Sequence, residues 1–358
     1  MKSLVQATIA ILVVCALLFF VVDRLQSAGS AGSTDTITVY NWGEYIDPEL
    51  LDKFTEETGI KVIYETFDSN EAMMTKVEQG GSAYDVAAPS EYMVAMMREK
   101  DLLLPIDHSK LPNLKNIDPY FLDLSFDPGN KYSVPYFWGT VGIVFNPGLV
   151  GDHLTFQSWE DLWDPSLQGK VFLVDGAREV MGMGLNSLGE SLNAKDDELL
   201  DLATEKLTSL SPNIKAIIGD EITPLMINNE ASVALTWSGQ AADMMWENEE
   251  LDFAVPEEGS NLWFDNFVIP KTAANIDGAH AFINFMLDAE NSAQNNDYVG
   301  YSTPNAAAME LMDPEVIEDE RFYPNEELRE KLEVYENLGP EWLGKYNEHF
   351  LEFKMDIR

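Results

Sequence analysis

"ITVYNWGEYIDPELLDKFTEETGIKVIYETF", residues 37–67, contains a strand, a loop, a helix and a second strand in immediate succession. Ile37–Tyr40 is the β-branched and aromatic kind of run that fills strands. Asp47 is placed to cap a helix, Pro48 suits its first position, and Glu49 favours its positive end. Leu50, Leu51 and Phe54 give that helix an apolar stripe, and Gly59 stops it. Lys61–Phe67 reads as the second strand. Strands joined by a crossover helix run parallel, because the connection must return over the sheet. The loop between the first strand and the helix then holds Trp42, Glu44 and Tyr45 at the carboxyl end of a strand.

The same rhythm continues downstream. Asn70 is placed to cap a helix carrying Met73, Met74 and Val77, which ends at Gly80-Gly81. Tyr84–Ala88 reads as a third strand, and Ser90 as the cap of the next helix. "YSVPYFWGTVGIVFNP" (132–147) breaks the pattern with two strand-like runs and reads as a crossing into a second domain. A second strand–helix series follows: Lys170–Val174 with a helix from about Arg178, then Ser232–Thr236 with a helix from about Gln240. "EGSNLWFDNFVIP" (258–270) is a strand pair that carries the chain back. These signals predict an α/β protein of two lobes, each a mainly parallel sheet flanked by helices, joined by hinge strands with a cleft between. The expected division is 1–35 as signal or membrane anchor and tether, 36–142 with 264–309 as lobe 1, and 143–263 with 310–358 as lobe 2.

Composition narrows the class of partner. The 358 residues include 62 acidic and 22 basic side chains, a net charge of −40. Nucleic acid is excluded, because its phosphates would be repelled, and cations are attracted. Lys2 precedes an apolar stretch, every residue from Ile9 to Val22 is apolar, and the small residues Ser27–Ala31 follow. This is a secretory signal or an uncleaved anchor, and it places the folded part outside the cytoplasmic membrane, periplasmic or at the cell surface. The single cysteine, Cys15, lies in that apolar run, so the folded part has no disulfide and no thiolate chemistry.

Ligands of open parallel sheets bind at the carboxyl ends of strands. Those ends carry Trp42, Glu44 and Tyr45; Ser90, Glu91 and Tyr92; Asp175 and Glu179; Trp237; and, in the later strand pair, Trp263, Asp265 and Asn266. A further loop holds Tyr301, Thr303 and Asn305. Aromatics interleaved with carboxylates fit an organic cation. Carboxylates make charge-assisted hydrogen bonds to ammonium groups, and each ring face adds about 0.5–2 kcal/mol of cation–π attraction. Covering a four-carbon chain adds about 3 kcal/mol at about 0.8 kcal/mol per methylene. Micromolar affinity needs about 8 kcal/mol, so charged contacts must supply much of it. Competing structural roles exist: Trp138, Trp159, Trp163 and Trp246 read as core packing, Glu44 and Glu91 also suit helix termini, and Glu179 could pair with Arg178.

At these residues the chain resembles the bacterial spermidine/putrescine-binding proteins, the PotD-like solute receptors of polyamine importers. The likeness spans nearly all of the chain after the anchor. Its specific stretches are "YNWGEYIDPELLDKFTEETGIKVIYETFDSNEAM", "YDVAAPSEYMV", "SVPYFWG", "DGAREVMGM", "WFDNFVIP", "VGYSTPNAAA" and "FYPN". The resemblance implies a type II periplasmic-binding-protein-like fold that closes on a polyamine and delivers it to an ABC permease with its cytoplasmic ATPase. It implies an aromatic box of Trp42, Tyr45, Tyr92, Trp237, Trp263 and Tyr301, with Glu44, Glu179 and Asp265 as carboxylates and Ser90 as a polar contact. Asp265 would hold a terminal ammonium beside Trp263, with Glu44 and Ser90 at the opposite end. Glu336, in "VYENLG", lies near where relatives have a polar contact. Two positions depart from the pattern: Gly43, where some relatives carry a hydroxyl, and Gly176, where some spermidine binders carry an acid.

An alternative within binding proteins is a receptor for betaine or choline. A quaternary ammonium donates no hydrogen bond, so its box would be mostly aromatic, and the acids argue against it. An enzyme is disfavoured. The four histidines, His108, His153, His280 and His349, have no metal-ligand spacing. "TWSGQ" (236–240) lacks the first glycine of a nucleophile elbow, and no glycine-rich phosphate loop appears. No cofactor and no metal are expected, and the predicted mechanism is hinge closure on the ligand.

Overall fold

The computed structural model describes residues 35–219 and 221–357. The apolar segment read as signal or anchor, with Cys15, lies outside the described residues. Among the described residues, no helix is long and apolar enough to cross a membrane.

Strand β1 (Thr36–Trp42) pairs in parallel with β2 (Lys61–Phe67), from Thr36 opposite Lys61 to Trp42 opposite Phe67. Helix α1 (Pro48–Thr58) crosses between them. The Asp47 carboxylate accepts from the Glu49 amide at 2.9 Å, and Gly59 ends the helix in the left-handed region at φ 75°. Leu50 and Phe54 are the buried face of the stripe. Helix α2 (Asn70–Gln79) is capped by Ser69 rather than Asn70. Asn70 is turned inward, where its amide nitrogen donates to Ser90 Oγ at 3.0 Å and Tyr92 Oη at 3.1 Å. Strand β3 (Val86–Ala87) leads into α3 (Glu91–Glu99), and β4 (Leu103–Leu104) follows.

The stretch read as two runs is one strand, β5 (Ser133–Phe145), buried along its whole length. The second series comprises β6 (Val171–Val174), α4 (Ala177–Asn186), α5 (Asp197–Leu210), β7 (Ile214–Ile218), α6 (Ile222–Ile227), β8 (Val233–Trp237), α7 (Ser238–Glu247) and β9 (Asp252–Ala254). The returning segment is also one strand, β10 (Leu262–Pro270). Helices α8 (Ile276–Met286) and α9 (Ala289–Val299) follow, and α10 (Gly339–Asp356) closes the chain.

The strand order β2-β1-β3-β10-β5-β8-β6-β7 explains the two-part architecture. β2-β1-β3 and β8-β6-β7 are parallel sets, as their crossover helices require. β10 and β5 lie between them, antiparallel to each other. Residues 133–140 of β5 pair with β10, while 141–145 pair with β8, so one strand passes from the first set to the second.

The core is aromatic-rich. Phe54 of α1 meets Phe282 and Phe285 of α8 edge-on, each at 5.3 Å. Burying a side chain of that size contributes about 1.5–3 kcal/mol. Trp138 and Trp159 are buried, as read from sequence, and Trp163 is half-buried. Trp246 is a correction: it is 85% exposed. Helix α7 buries Ala241 and Met244, and Trp246 falls on its opposite face.

Candidate functional site

The β10–β5 pairing is interrupted by a bulge between Asp265 and Asn266, at the carboxylate singled out in the sequence. Bulges of this kind re-aim a side chain. Asp265 is 6% exposed; its Oδ2 accepts from Tyr45 Oη at 2.6 Å and its Oδ1 from Ser90 Oγ at 2.7 Å. Ser90 occupies the cap position of α3 but makes no cap bond; its Oγ instead donates to Asp265 and accepts from Asn70 Nδ2. Ser90 therefore lies beside Asp265, not opposite it as expected from the resemblance.

Three consecutive residues at the start of α3 grip the bulged strand. The Asn266 amide donates to Pro89 O at 2.9 Å, Ser90 donates to Asp265, and the Phe264 amide donates to Glu91 Oε2 at 2.9 Å. Glu91 is fully buried, and its Oε1 has no hydrogen-bond partner among the described residues. Burial pushes the Glu91 carboxyl up to about 8, against the pull of the Phe264 amide and its own. Burial also pushes Asp265 up to about 6, against the Tyr45 and Ser90 hydroxyls. Tyr45 is raised well above an ordinary tyrosine, first by burial and then by the Asp265 charge.

A run of aromatic rings leads away from this acid through Tyr45. Tyr45 and Tyr301 meet edge-on at 5.2 Å, and Tyr301 and Trp263 at 5.3 Å. The Trp263 ring lies directly on Gly139, where a Cβ would overlap it, and its Nε1 donates to Thr140 O at 3.3 Å. Trp42 packs on Phe67 at 4.5 Å and donates Nε1 to Ala88 O at 3.0 Å, which ties it to the end of the first parallel set. Trp237, half-buried, ends β8 opposite Val141.

A second group forms around Glu179. Its carboxylate folds back over the N-terminus of α4, into the space a Cβ at Gly176 would take. Burial raises Glu179, while its own amide and Arg178 oppose the rise. Tyr92 is raised well above an ordinary tyrosine by burial, with Glu71 and Glu179 adding to it. Arg178 lies 4.2 Å over the ring of buried Tyr335.

Tyr45, Ser90, Trp263, Asp265 and Tyr301 are thus joined by direct contact, and Tyr92 joins them through Asn70, which donates to both Ser90 and Tyr92. Glu44 is exposed at φ 51° and acts on Asp243 of α7, whose carboxyl is raised by burial, then Glu247, then Glu44. Glu336 is exposed, and its backbone is held by Asn193 at 2.9 Å and Arg178 at 3.4 Å. The chain turns Tyr335 inward at this place and Glu336 outward. The sequence names Asn70 only as a helix cap and does not single out Tyr335; their burial beside these groups comes from packing between distant segments. Among the described residues, no group of His, Cys, Asp and Glu is arranged to hold a metal ion.

Comparisons with known proteins bear on the family and the fold. Residues 49–324 match the family model described as bacterial extracellular solute-binding protein. The chain is 40% identical over 330 residues to the spermidine/putrescine-binding periplasmic protein of Salmonella typhimurium, covering 92% of this chain and 94% of that one. A solved structure, a putative spermidine/putrescine ABC transporter from Listeria monocytogenes, superposes with a TM-score of 0.84 at 60% identity, over 90% of this chain and 99% of that one. The substrate-binding protein PotD of a Streptococcus pneumoniae spermidine/putrescine ABC transporter gives 0.85 at 56% identity, over 90% and 100%.

Proposed function

The chain belongs to the bacterial extracellular solute-binding protein family, and we infer that it is the polyamine receptor of an ABC transporter, taking spermidine or putrescine. The observation that carries this reading is the buried Asp265 carboxylate, fixed by two hydroxyls, with the contacting rings Tyr45, Tyr301 and Trp263 running on from it. A primary ammonium donates hydrogen bonds to such a carboxylate, and the ring faces attract its charge. Betaine and choline have no N–H to donate, which favours the polyamine over them.

In this reading Asp265 and Ser90 hold one terminal ammonium, and the rings of Tyr45, Trp263 and Tyr301 cover the chain beside it. Glu179 with Tyr92 serves another amine, Trp42 and Trp237 supply wall, and Glu44 and Glu336 stand at the exposed rim. The mobile units are 36–142 with 264–309 and 143–263 with 310–358, hinged on β5 and β10. Closure is favoured by ligand contacts that the open form lacks, and no covalent step takes part. The closed form is handed to the permease, which its ATPase drives. The N-terminal apolar segment exports the protein or anchors it on the outer face of the cytoplasmic membrane.

Titration calorimetry of the purified protein against putrescine, spermidine, spermine and glycine betaine tests the function. Polyamine affinity in the micromolar range or tighter, with betaine at least a hundredfold weaker, is the expected result. Heat signals from no polyamine at all would overturn it.

A further inference from the structure

Thr236-Trp237-Ser238-Gly239-Gln240 ends β8 and begins α7. Its hydroxyl is committed to structure, since Ser238 Oγ accepts from the Thr140 amide at 3.1 Å. Its glycine is buried in the first turn of α7. Glycine is less favourable than alanine within a helix, so this position calls for a steric account. A Cβ at Gly239 would fall inside the ring of Tyr301, overlapping Cδ1, Cε1 and Cζ.

Tyr301 reaches α7 from another part of the molecule. Its carbonyl accepts from Asn296 Nδ2 of α9, and the next residue, Ser302, accepts from the Trp138 amide of β5 at 3.0 Å. The same ring meets Tyr45, just beyond β1, and Trp263 of β10. One ring is therefore wedged between the acid-bearing cluster and the helix that follows Trp237.

We propose that Gly239 is a positioning residue of the polyamine site: it is the seat for the Tyr301 ring, and its lack of a side chain sets how closely α7 approaches Asp265 and its aromatics. The proposal rests on the cleft being the polyamine site. Gly239 acts only through Tyr301. A methyl group at 239 either drives the ring toward Trp263 and Tyr45, into the path of the amine chain, or holds α7 back so that the cleft cannot close. Both outcomes weaken the closed form and speed ligand release.

The test is a double-mutant cycle in the full chain, with Gly239→Ala, Tyr301→Ala and the double variant titrated with spermidine. Gly239→Ala is expected to lose at least tenfold in affinity, mainly through faster release in stopped flow. In the Tyr301→Ala background the same change is expected to cost less than twofold. The melting temperature of empty Gly239→Ala is expected not to fall by more than that of the double variant. Unchanged affinity in Gly239→Ala overturns the proposal, and so does an equal loss in both backgrounds. A Gly239→Ala chain that fails to fold overturns the proposal as well, whether or not the double variant folds. A native protein that binds no polyamine refutes the functional reading instead, which keeps the two failures distinct.

Discussion

Tyr45 Oη and Asp265 Oδ2 stand 2.6 Å apart, and Ser90 Oγ stands 2.7 Å from the other oxygen of the same carboxylate. Both hydroxyls donate, so the acid is held in one orientation by groups from two different loops. An acid fixed in this way loses little freedom when an ammonium arrives. Replacing Asp265 by Asn keeps the shape and removes the charge. Hydrogen bonds to charged groups contribute about 1.5–3 kcal/mol, so spermidine affinity should fall by roughly ten- to a hundredfold or more. Calorimetry reads this directly, and an undiminished affinity would move the site elsewhere.

The same carboxylate sets a pH dependence of binding. Burial raises Asp265 to about 6, and only the ionised form attracts the cation. Affinity should therefore rise as pH increases through about 6 and level off above it. Tyr45→Phe removes a hydroxyl that opposes the upward shift, so the midpoint should move to higher pH. A midpoint that stays in place in Tyr45→Phe would separate Asp265 from the titration.

Glu91 acts on stability with the opposite slope to a salt-bridged acid. Its carboxyl is raised from 4.5 to about 8. The folded protein thus holds a proton that the unfolded chain has lost, and this contribution to stability declines as pH rises from about 4.5 to about 8. Below that window it is fully present. Glu91→Gln keeps an acceptor for the Phe264 amide and cannot ionise. Denaturant melts at several pH values should show a shallower decline for Glu91→Gln than for the native chain; matching slopes would place Glu91 outside the linkage.

How much of this was legible in the sequence depends on how local each signal is. The β1–α1–β2 unit was readable nearly to the residue, because Asp47, Pro48, the Leu50–Phe54 stripe and Gly59 agree within one helix. The crossing strands were recognised but split in two: Pro135, Gly139 and Gly142 interrupt β5 as a pattern, although it is buried throughout and continuous. Ser90 was read as a helix cap, which its local sequence supports. Its actual partner lies 175 residues away, and no local pattern carries that information. The burial of Glu91 and the seating of Tyr301 on Gly239 likewise arise only when α3 meets β10 and α9 approaches α7.

The four tryptophans read as core provide a direct test of burial against residue type. Trp159 is 1% exposed, and its Nε1 donates to Gly259 O at 2.9 Å. Trp159→Ala removes a large buried side chain and leaves that carbonyl without its donor, a change that costs about 3–5 kcal/mol. Trp246, on the outer face of α7, lacks comparable packing at 85% exposure. Trp246→Ser removes little buried area, and changes at such surface positions stay within about 0.5 kcal/mol. Chemical denaturation of the two variants should separate them by several kcal/mol with the native slope retained. A Trp246→Ser variant as unstable as Trp159→Ala would mean that this face of α7 is covered in solution.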